Sequence, residues 1–362
     1  MSTQLSKSDR PGRLGDPDMS LSTDPRTHPQ LLRTLEQFGM DVNAEAAPVS
    51  ADSSYEDCLA FTVEMEAGYE AIYGPLHQNL PDLDVVRETR STLGVDGNEI
   101  KLHIHKPKVV SSDLPCIVHL HGGAMVFLTA DGVNYIRWRD ELAARGALVI
   151  GVEFRNGGGV LGDHPFPAGL NDCATAIQWV ATNKSSLDVS HIVVTGESGG
   201  GNLSLATALK AREEGWIKDI SGVYAMCPYI SGQYATPPPE LLSLKENDGY
   251  TVGVAMLGAL AKVYDPSGVD WDNPLAWPYR ASLSDLEGLP PHYISVNELD
   301  PLRDEGLAYY QKLQAAGVSA HCRVVEGTCH AGDCISPVVI PDVYQSTLNS
   351  ISQFVRSLVD SE

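Results

Sequence analysis

The chain has 362 residues, of which 25 are Lys or Arg and 47 are Asp or Glu, giving a formal net charge of −22. With 43% hydrophobic and 20% charged residues it has a globular composition, long enough for one large domain with an insertion or for two domains. The acidic excess argues against nucleic acid and anionic membrane surfaces as partners, because both demand a basic face. No run of about 18 apolar residues is present to span a bilayer.

Met1 to Asp18 is polar and lacks the apolar stretch of a signal peptide, so a cytoplasmic protein is expected, with residues 1–25 as a flexible tail. Residues 26–84 read as a helical segment. His28-Pro29-Gln30-Leu31-Leu32 opens one amphipathic run, and residues 55–72 carry apolar side chains at helical spacing. The texture then changes. Alternating runs at 85–92 and 100–105 flank Gly94-Val95-Asp96-Gly97-Asn98, a hairpin signal. Short apolar runs follow at 116–120, 148–154, 192–195, 223–226, 293–296 and 322–325. Helical stretches at 134–145, 171–182, 202–214 and 305–316 separate most of them. Near-continuous apolar strands alternating with helices predict an α/β fold, a mostly parallel buried sheet with helices on both faces. Residues 231–277 interrupt the alternation with Pro237-Pro238-Pro239 and a helical run over 252–264. They are expected to fold over the sheet edge with the N-terminal helices, which divides the core into 85–230 and 278–362.

Seven cysteines, Cys58, Cys116, Cys173, Cys227, Cys322, Cys329 and Cys334, are spread without an export signal, a pattern that fits reduced thiols. The spacing of Cys322, Cys329, His330 and Cys334 matches no usual zinc pattern, so no metal site is assigned there.

The strongest local signal is Ile192-Val193-Val194-Thr195-Gly196-Glu197-Ser198-Gly199-Gly200, a strand running into Gly-x-Ser-x-Gly before a helix. A sharp strand-to-helix turn demands glycine at 196 and 200, exposes the Ser198 hydroxyl, and leaves the Gly199 amide at a helix start. A serine nucleophile needs a base, and the base an orienting acid. Asp300 follows the 293–296 run, and His330 lies in the loop after the 322–325 run. The order Ser198, Asp300, His330, each after a strand, is that of an α/β-hydrolase triad. Asp300 can also cap the helix before Pro301. Behind the 116–120 strand, His121-Gly122-Gly123-Ala124 supplies small residues whose amides can face a developing oxyanion. Gly123, Ala124 and Gly199 are the candidate donors.

His121-Gly122-Gly123-Ala124, Asp163-His164-Pro165-Phe166-Pro167-Ala168, Gly196-Glu197-Ser198-Gly199-Gly200-Gly201-Asn202, Gly288-Leu289-Pro290-Pro291 and Asp300-Pro301-Leu302-Arg303-Asp304-Glu305 follow one another. In that order they resemble the hormone-sensitive-lipase-like esterases of the α/β-hydrolase superfamily, from about residue 85 to the end. Within that family the chain is most similar to bacterial carboxylesterases of the brefeldin A esterase type. The resemblance implies an α/β-hydrolase core, a helical cap, and hydrolysis of a small-molecule carboxylic ester without a cofactor. It also implies Ser198 as nucleophile, His330 as base, Asp300 rather than Asp304 as orienting acid, and the amides of Gly123, Ala124 and Gly199 as oxyanion donors. Ala124 stands where the family commonly has a third glycine, and Glu197 and Gly199 where it commonly has Asp and Ala.

Other readings compete. Gly157-Gly158-Gly159-Val160-Leu161-Gly162 matches a dinucleotide-binding pattern, but Asp163-His164-Pro165 follows where a helix should open. His103-x-His105 and His119-x-His121 each put two imidazoles on one strand face, which leaves a metal-dependent hydrolase as an alternative. A non-catalytic small-ligand receptor on the same fold is another, and the retained His330 argues against it. Phe127 and Leu128 beside the oxyanion loop, and Met256 and Leu257 in the 252–264 run, are candidates to line the substrate pocket, although packing on the core would explain them as well. Short- to medium-chain esters or lactones are expected, neutral or cationic ones given the acidic chain, and a homodimer is compatible with the sequence.

Overall fold

A computed structural model of the chain describes residues 10–44, 46–109 and 113–358. Its strands are β1 (Val85–Leu93), β2 (Glu99–Pro107), β3 (Leu114–Leu120), β4 (Leu148–Glu153), β5 (Val189–Glu197), β6 (Gly222–Met226), β7 (His292–Asn297) and β8 (Ala320–Val325). Its helices are α1 (Pro29–Glu36), α2 (Tyr55–His77), α3 (Val133–Ala143), α4 (Ala168–Thr182), α5 (Lys184–Leu187), α6 (Gly199–Glu213), α7 (Ser243–Glu246), α8 (Val254–Tyr264), α9 (Leu283–Leu286), α10 (Arg303–Ala315) and α11 (Pro341–Ser357).

All eight strands form one sheet in the order β1-β2-β4-β3-β5-β6-β7-β8. β1 and β2 form the expected antiparallel hairpin, and β2 also pairs antiparallel with β4. The remaining pairs are parallel. Alternation along each strand decides which helices cover it. Ile117, Val149 and Val193 face α3 and α11, in one cluster with Trp138, Leu142, Leu348 and Ile351. Their neighbours Val118, Ile150 and Val194 face the opposite layer, with Leu170 and Ile177 of α4 and Leu203 of α6. Because both faces are covered, the inner strands are apolar at nearly every position, which is why they read as runs and not as alternating strands. The chain passes from β3 outward to β4 and then returns to β5 on the other side of β3. That reversal opens a crevice at the carboxyl ends of β3 and β5, where open α/β sheets place their sites.

Two findings depart from the sequence expectations. Residues 10–25 are packed rather than a free tail. Leu21 is buried with Leu31, Leu35, Tyr250, Leu299 and Cys329, and the Arg13 guanidinium donates to the Asp248 carbonyl at 2.6 Å. Arg26 then pairs with Asp24 at 2.7 Å and with Glu246 at 2.6 Å, which compensates a carboxylate that is almost fully buried. Residues 1–9 of the expected tail lie outside the described residues. The second departure is α11, which the strand-helix reading did not single out. Its Tyr344, Leu348, Ile351 and Val355 recur at helical spacing and are all buried against the sheet.

Leu348 is fully buried at the centre of that contact. Leu348→Ala is expected to lower the unfolding free energy by about 2–5 kcal/mol, read as a shift of the guanidinium midpoint at unchanged slope.

Candidate active site

β5 ends in a turn so tight that its geometry admits little but glycine around the serine. A Cβ on Gly200 would lie 1.9 Å from the Leu120 carbonyl oxygen, and one on Gly196 would lie 2.5 Å from it and from the Gly200 carbonyl. Ser198 itself has φ 55° and ψ −116°, an arrangement rare for a side-chain-bearing residue and costing roughly 1–3 kcal/mol. Hydrogen bonds hold it there: its N–H donates to the Met226 carbonyl at 2.9 Å, and its carbonyl accepts from Tyr229 at 3.1 Å and Asn202 at 3.0 Å.

The structure brings Ser198, His330 and Asp300 together. The Ser198 hydroxyl lies 2.9 Å from His330 Nε2, and His330 Nδ1 lies 2.8 Å from Asp300 Oδ2. A carboxylate only accepts, so Nδ1 carries the proton and Nε2 is free to accept from serine. Asp300 does two jobs with separate oxygens, since its Oδ1 accepts the Leu302 N–H at 2.9 Å and fixes the loop before α10. Asp304 is occupied elsewhere, accepting the Ser243 N–H at 2.8 Å and pairing with Arg303 at 3.0 Å. Glu305, the last residue of that motif, accepts from Ile230 N–H at 2.7 Å and the Tyr234 hydroxyl at 2.9 Å, and burial raises its pKa to about 7. Burial disfavours charge on His330, but Asp300, helped by Glu305 and Glu197, outweighs it and holds the imidazole above its usual pKa.

After β3 the chain turns over the start of α6. Gly123, Ala124, Met125 and Leu128 all have positive φ, at 92°, 54°, 63° and 73°. The Gly123 carbonyl accepts from Val126 at 2.9 Å and Phe127 at 3.1 Å, so this is a compact turn. Among the described residues no acceptor pairs with the Gly123 or Ala124 N–H, and the Gly199 N–H opens α6. A Cβ on residue 199 would lie 2.5 Å from Met125 N and 2.7 Å from Ala124 N, which explains glycine here in place of the family's alanine. Glu197 also acquires a role. Its Oε1 accepts the Gly122 N–H at 2.6 Å and its Oε2 accepts from His119 Nε2 at 3.1 Å, tying the turn to the end of β5.

Ser198 and His330 open on a cavity of about 1170 Å³, its mouth included. Phe127, Leu128, Met256 and Leu257 all line it, as do Gly123 and Ala124. Sequence reading missed the contribution of α2, whose Met65, Tyr69, Ile72, Tyr73 and Leu76 form one wall. Their helical spacing is visible in the sequence; which surface they face is not. Tyr69 packs on Phe127 with ring centroids 5.7 Å apart. The lining includes no Lys or Arg.

The histidine pairs do not converge on a shared ligand point. His105 donates from Nδ1 to Asp140 at 2.7 Å and accepts from Arg139 at 2.9 Å; burial pushes its pKa down to about 4. His103 faces Glu153 at 3.6 Å, and His119 serves Glu197. His121 stacks on Phe154 at 4.1 Å and donates to the Gly122 carbonyl at 2.8 Å; burial lowers its pKa to about 4. The 157–162 glycine run braces the turn after β3, since the Gly157 and Gly158 amides donate to the Met125 and Val126 carbonyls at 3.0 and 2.8 Å. Among the described residues, the one metal-competent cluster is Cys227, Asp300 and His330, which shares two members with the triad geometry. All seven cysteines are free thiols.

A serine, an aspartate and a histidine delivered in that order from the ends of β5, β7 and β8 define the α/β-hydrolase class. A family model described as alpha/beta hydrolase fold matches residues 117–332, and the chain belongs to this family. It is 32% identical over 311 residues to a carboxylesterase of Mycobacterium tuberculosis, covering 83% of this chain and 93% of that one. It is also similar to a gibberellin receptor of Arabidopsis thaliana, 25% identical over 270 residues, covering 72% of this chain and 71% of the receptor. Among solved structures, brefeldin A esterase, described as a bacterial homologue of human hormone-sensitive lipase, superposes with a TM-score of 0.94 at 44% identity. That match covers 96% of this chain and 98% of the esterase, and the resemblance carried by the five sequence motifs is borne out.

Protonated His330 cannot accept the serine proton, so activity should be lost as pH falls through its raised pKa. The expected kcat/KM profile has an acid limb with its midpoint above about 6.5, the ordinary imidazole value. A midpoint below that value would contradict the influence assigned to Asp300.

Proposed function

We propose that the chain is a serine carboxylesterase acting on neutral short- to medium-chain esters or lactones through an acyl-enzyme. The observation that carries this reading is the Ser198–His330–Asp300 relay, with contacts of 2.9 and 2.8 Å, opening on an apolar cavity. Ser198 Oγ attacks the ester carbonyl while His330 Nε2 takes its proton, and Asp300 stabilises the imidazolium that forms. The carbonyl oxygen becomes an oxyanion, stabilised by the Gly123, Ala124 and Gly199 amides. Collapse expels the alcohol, which leaves with the proton from His330. Water, deprotonated by the same nitrogen, then attacks the acyl-serine and releases the acid.

Substrate preference follows from the lining. A carboxylate on the acyl chain would lose its hydration in a cavity that offers no Lys or Arg to pair with it. The helical segments 26–84 and 231–277 act in this reading as a cap, supported by the cavity residues that α2 and α8 contribute. The free edge of β8 leaves room for a second copy and hence a homodimer. The free thiols fit a reducing compartment such as the cytoplasm. A receptor role is disfavoured by His330 standing at hydrogen-bonding distance from Ser198.

Ser198→Ala is expected to cut turnover of p-nitrophenyl butyrate by at least about 10⁴-fold and to abolish fluorophosphonate labelling, with the wild type insensitive to chelators. Substantial turnover surviving in Ser198→Ala would overturn the assignment. In a panel of acyl chains and lactones, a succinate half-ester is expected to react more slowly than its neutral methyl diester.

A further inference from the structure

Helix α2 reaches the reaction machinery at a point that no motif marks. Glu66, 2% exposed, directs one carboxylate oxygen at the Leu128 N–H, at 2.8 Å, and the other at the Val160 N–H, at 2.7 Å. One turn earlier, Thr62 Oγ1 accepts the Gly159 N–H at 2.9 Å. Among the described residues no Arg, Lys or His pairs with Glu66. Burial raises its pKa, only partly offset by the two backbone donors, and Glu70 and Glu153 raise it further. An apolar side chain would satisfy the helix face equally well, so a buried, unpaired carboxylate points to the two amides it holds.

Leu128 closes the turn that begins at Gly123. Three of the turn's residues that are not glycine, Ala124, Met125 and Leu128, sit at positive φ, so the turn persists only where its surroundings over-determine it. Glu197 restrains it at Gly122, Gly157 and Gly158 restrain its middle, and Asn156 Nδ2 donates to the Leu128 carbonyl at 2.6 Å. All of those lie between β2 and the end of the chain. Glu66 is the hydrogen-bonding restraint that comes from the N-terminal helical segment; the same helix packs Tyr69 on Phe127 and supplies Tyr69 and Tyr73 to the cavity wall.

We propose that Glu66 is a positioning residue for ester hydrolysis: through Leu128, the N-terminal helix holds the Gly123 and Ala124 amides where the developing oxyanion needs them. The helix that shapes the cavity thereby also sets the donors of the transition state, and a shift of α2 changes both together. The proposal rests on the serine-esterase reading above. Labelling of wild-type Ser198 by a fluorophosphonate tests that reading separately.

Glu66→Gln keeps size and shape but turns one acceptor oxygen into an NH2 facing a backbone N–H. We expect kcat on p-nitrophenyl butyrate to fall roughly 10- to 100-fold with KM unchanged. Affinity for a trifluoromethyl ketone, whose adduct places an oxyanion against the same amides, should fall by the same factor. Thr62→Val removes the neighbouring contact to Gly159 without touching Leu128 and should retain wild-type kcat. Wild-type kcat in Glu66→Gln would overturn the proposal. So would a loss of kcat with ketone affinity unchanged, or an equal loss of kcat in Thr62→Val. If circular dichroism shows that Glu66→Gln does not fold, Glu66→Asp, whose carboxylate is withdrawn by one methylene, carries the same expectation and the same overturning results. A wild type that labels alongside a Glu66→Gln of normal kcat defeats this proposal alone. A wild type that does not label defeats the esterase reading.

Discussion

The whole arrangement depends on one close approach, between the carbonyl of Leu120 at the end of β3 and the backbone of Gly200 in the first turn of α6. A single added carbon on residue 200 would sit 1.9 Å from that oxygen. Pinning the two strand ends together leaves Ser198 at the crest of the turn with its backbone at φ 55°. It also forces the chain leaving β3 to lie directly over the start of α6, where Gly199 faces the amides of Ala124 and Met125. The strain of that junction is met by its surroundings: Glu197 at Gly122, the Gly157 and Gly158 amides at Met125 and Val126, and Glu66 of α2 at Leu128.

The other two members of the relay depend on a second support. Asp300 and His330 stand on separate loops after β7 and β8, and neither loop is a regular element. Leu21, Leu31 and Leu35 from the N-terminal segment pack against Leu299 and Cys329, the residues immediately before Asp300 and His330. The Arg26–Glu246–Arg303 ion pairs fasten the same region to the first turn of α10. The N-terminal segment therefore touches all three parts of the proposed site: the 123–128 turn through Glu66, and the loops of Asp300 and His330 through its leucines. In the proposed reading, a cap built this way is part of the scaffold as well as a cover.

The departures from the family pattern become intelligible in the same terms. Glycine in place of alanine at 199 accommodates a turn that crowds the start of α6, and alanine at 124 keeps the N–H while adopting φ 54°. Glutamate at 197 spans the gap to both Gly122 and His119. The histidine pairs that suggested a metal are spent on separate polar contacts with Asp140, Arg139, Glu153, Glu197 and the Gly122 carbonyl.

Much of this is legible in the amino-acid order because the causes are local. Sterics around Gly196 and Gly200 act over five residues, apolar runs mark buried strands, and Ser198, Asp300 and His330 each follow one. For Phe127, Leu128, Met256 and Leu257 the sequence admits both a pocket lining and plain core packing, and in the fold the four line the cavity while also packing in the core cluster. What stays hidden depends on contacts between residues far apart in the chain. Nothing around Glu66 announces that it will meet Leu128, 62 positions later, nor around Leu21 that it will be buried beside Leu299. The spacing along α2 makes an apolar face evident, but only the folded chain decides that this face walls the cavity. Local sterics and periodicity therefore determined the strands, the turn and the candidate positions Ser198, Asp300 and His330, while burial and long-range hydrogen bonding, which exist only once distant segments meet, decided what holds them in place.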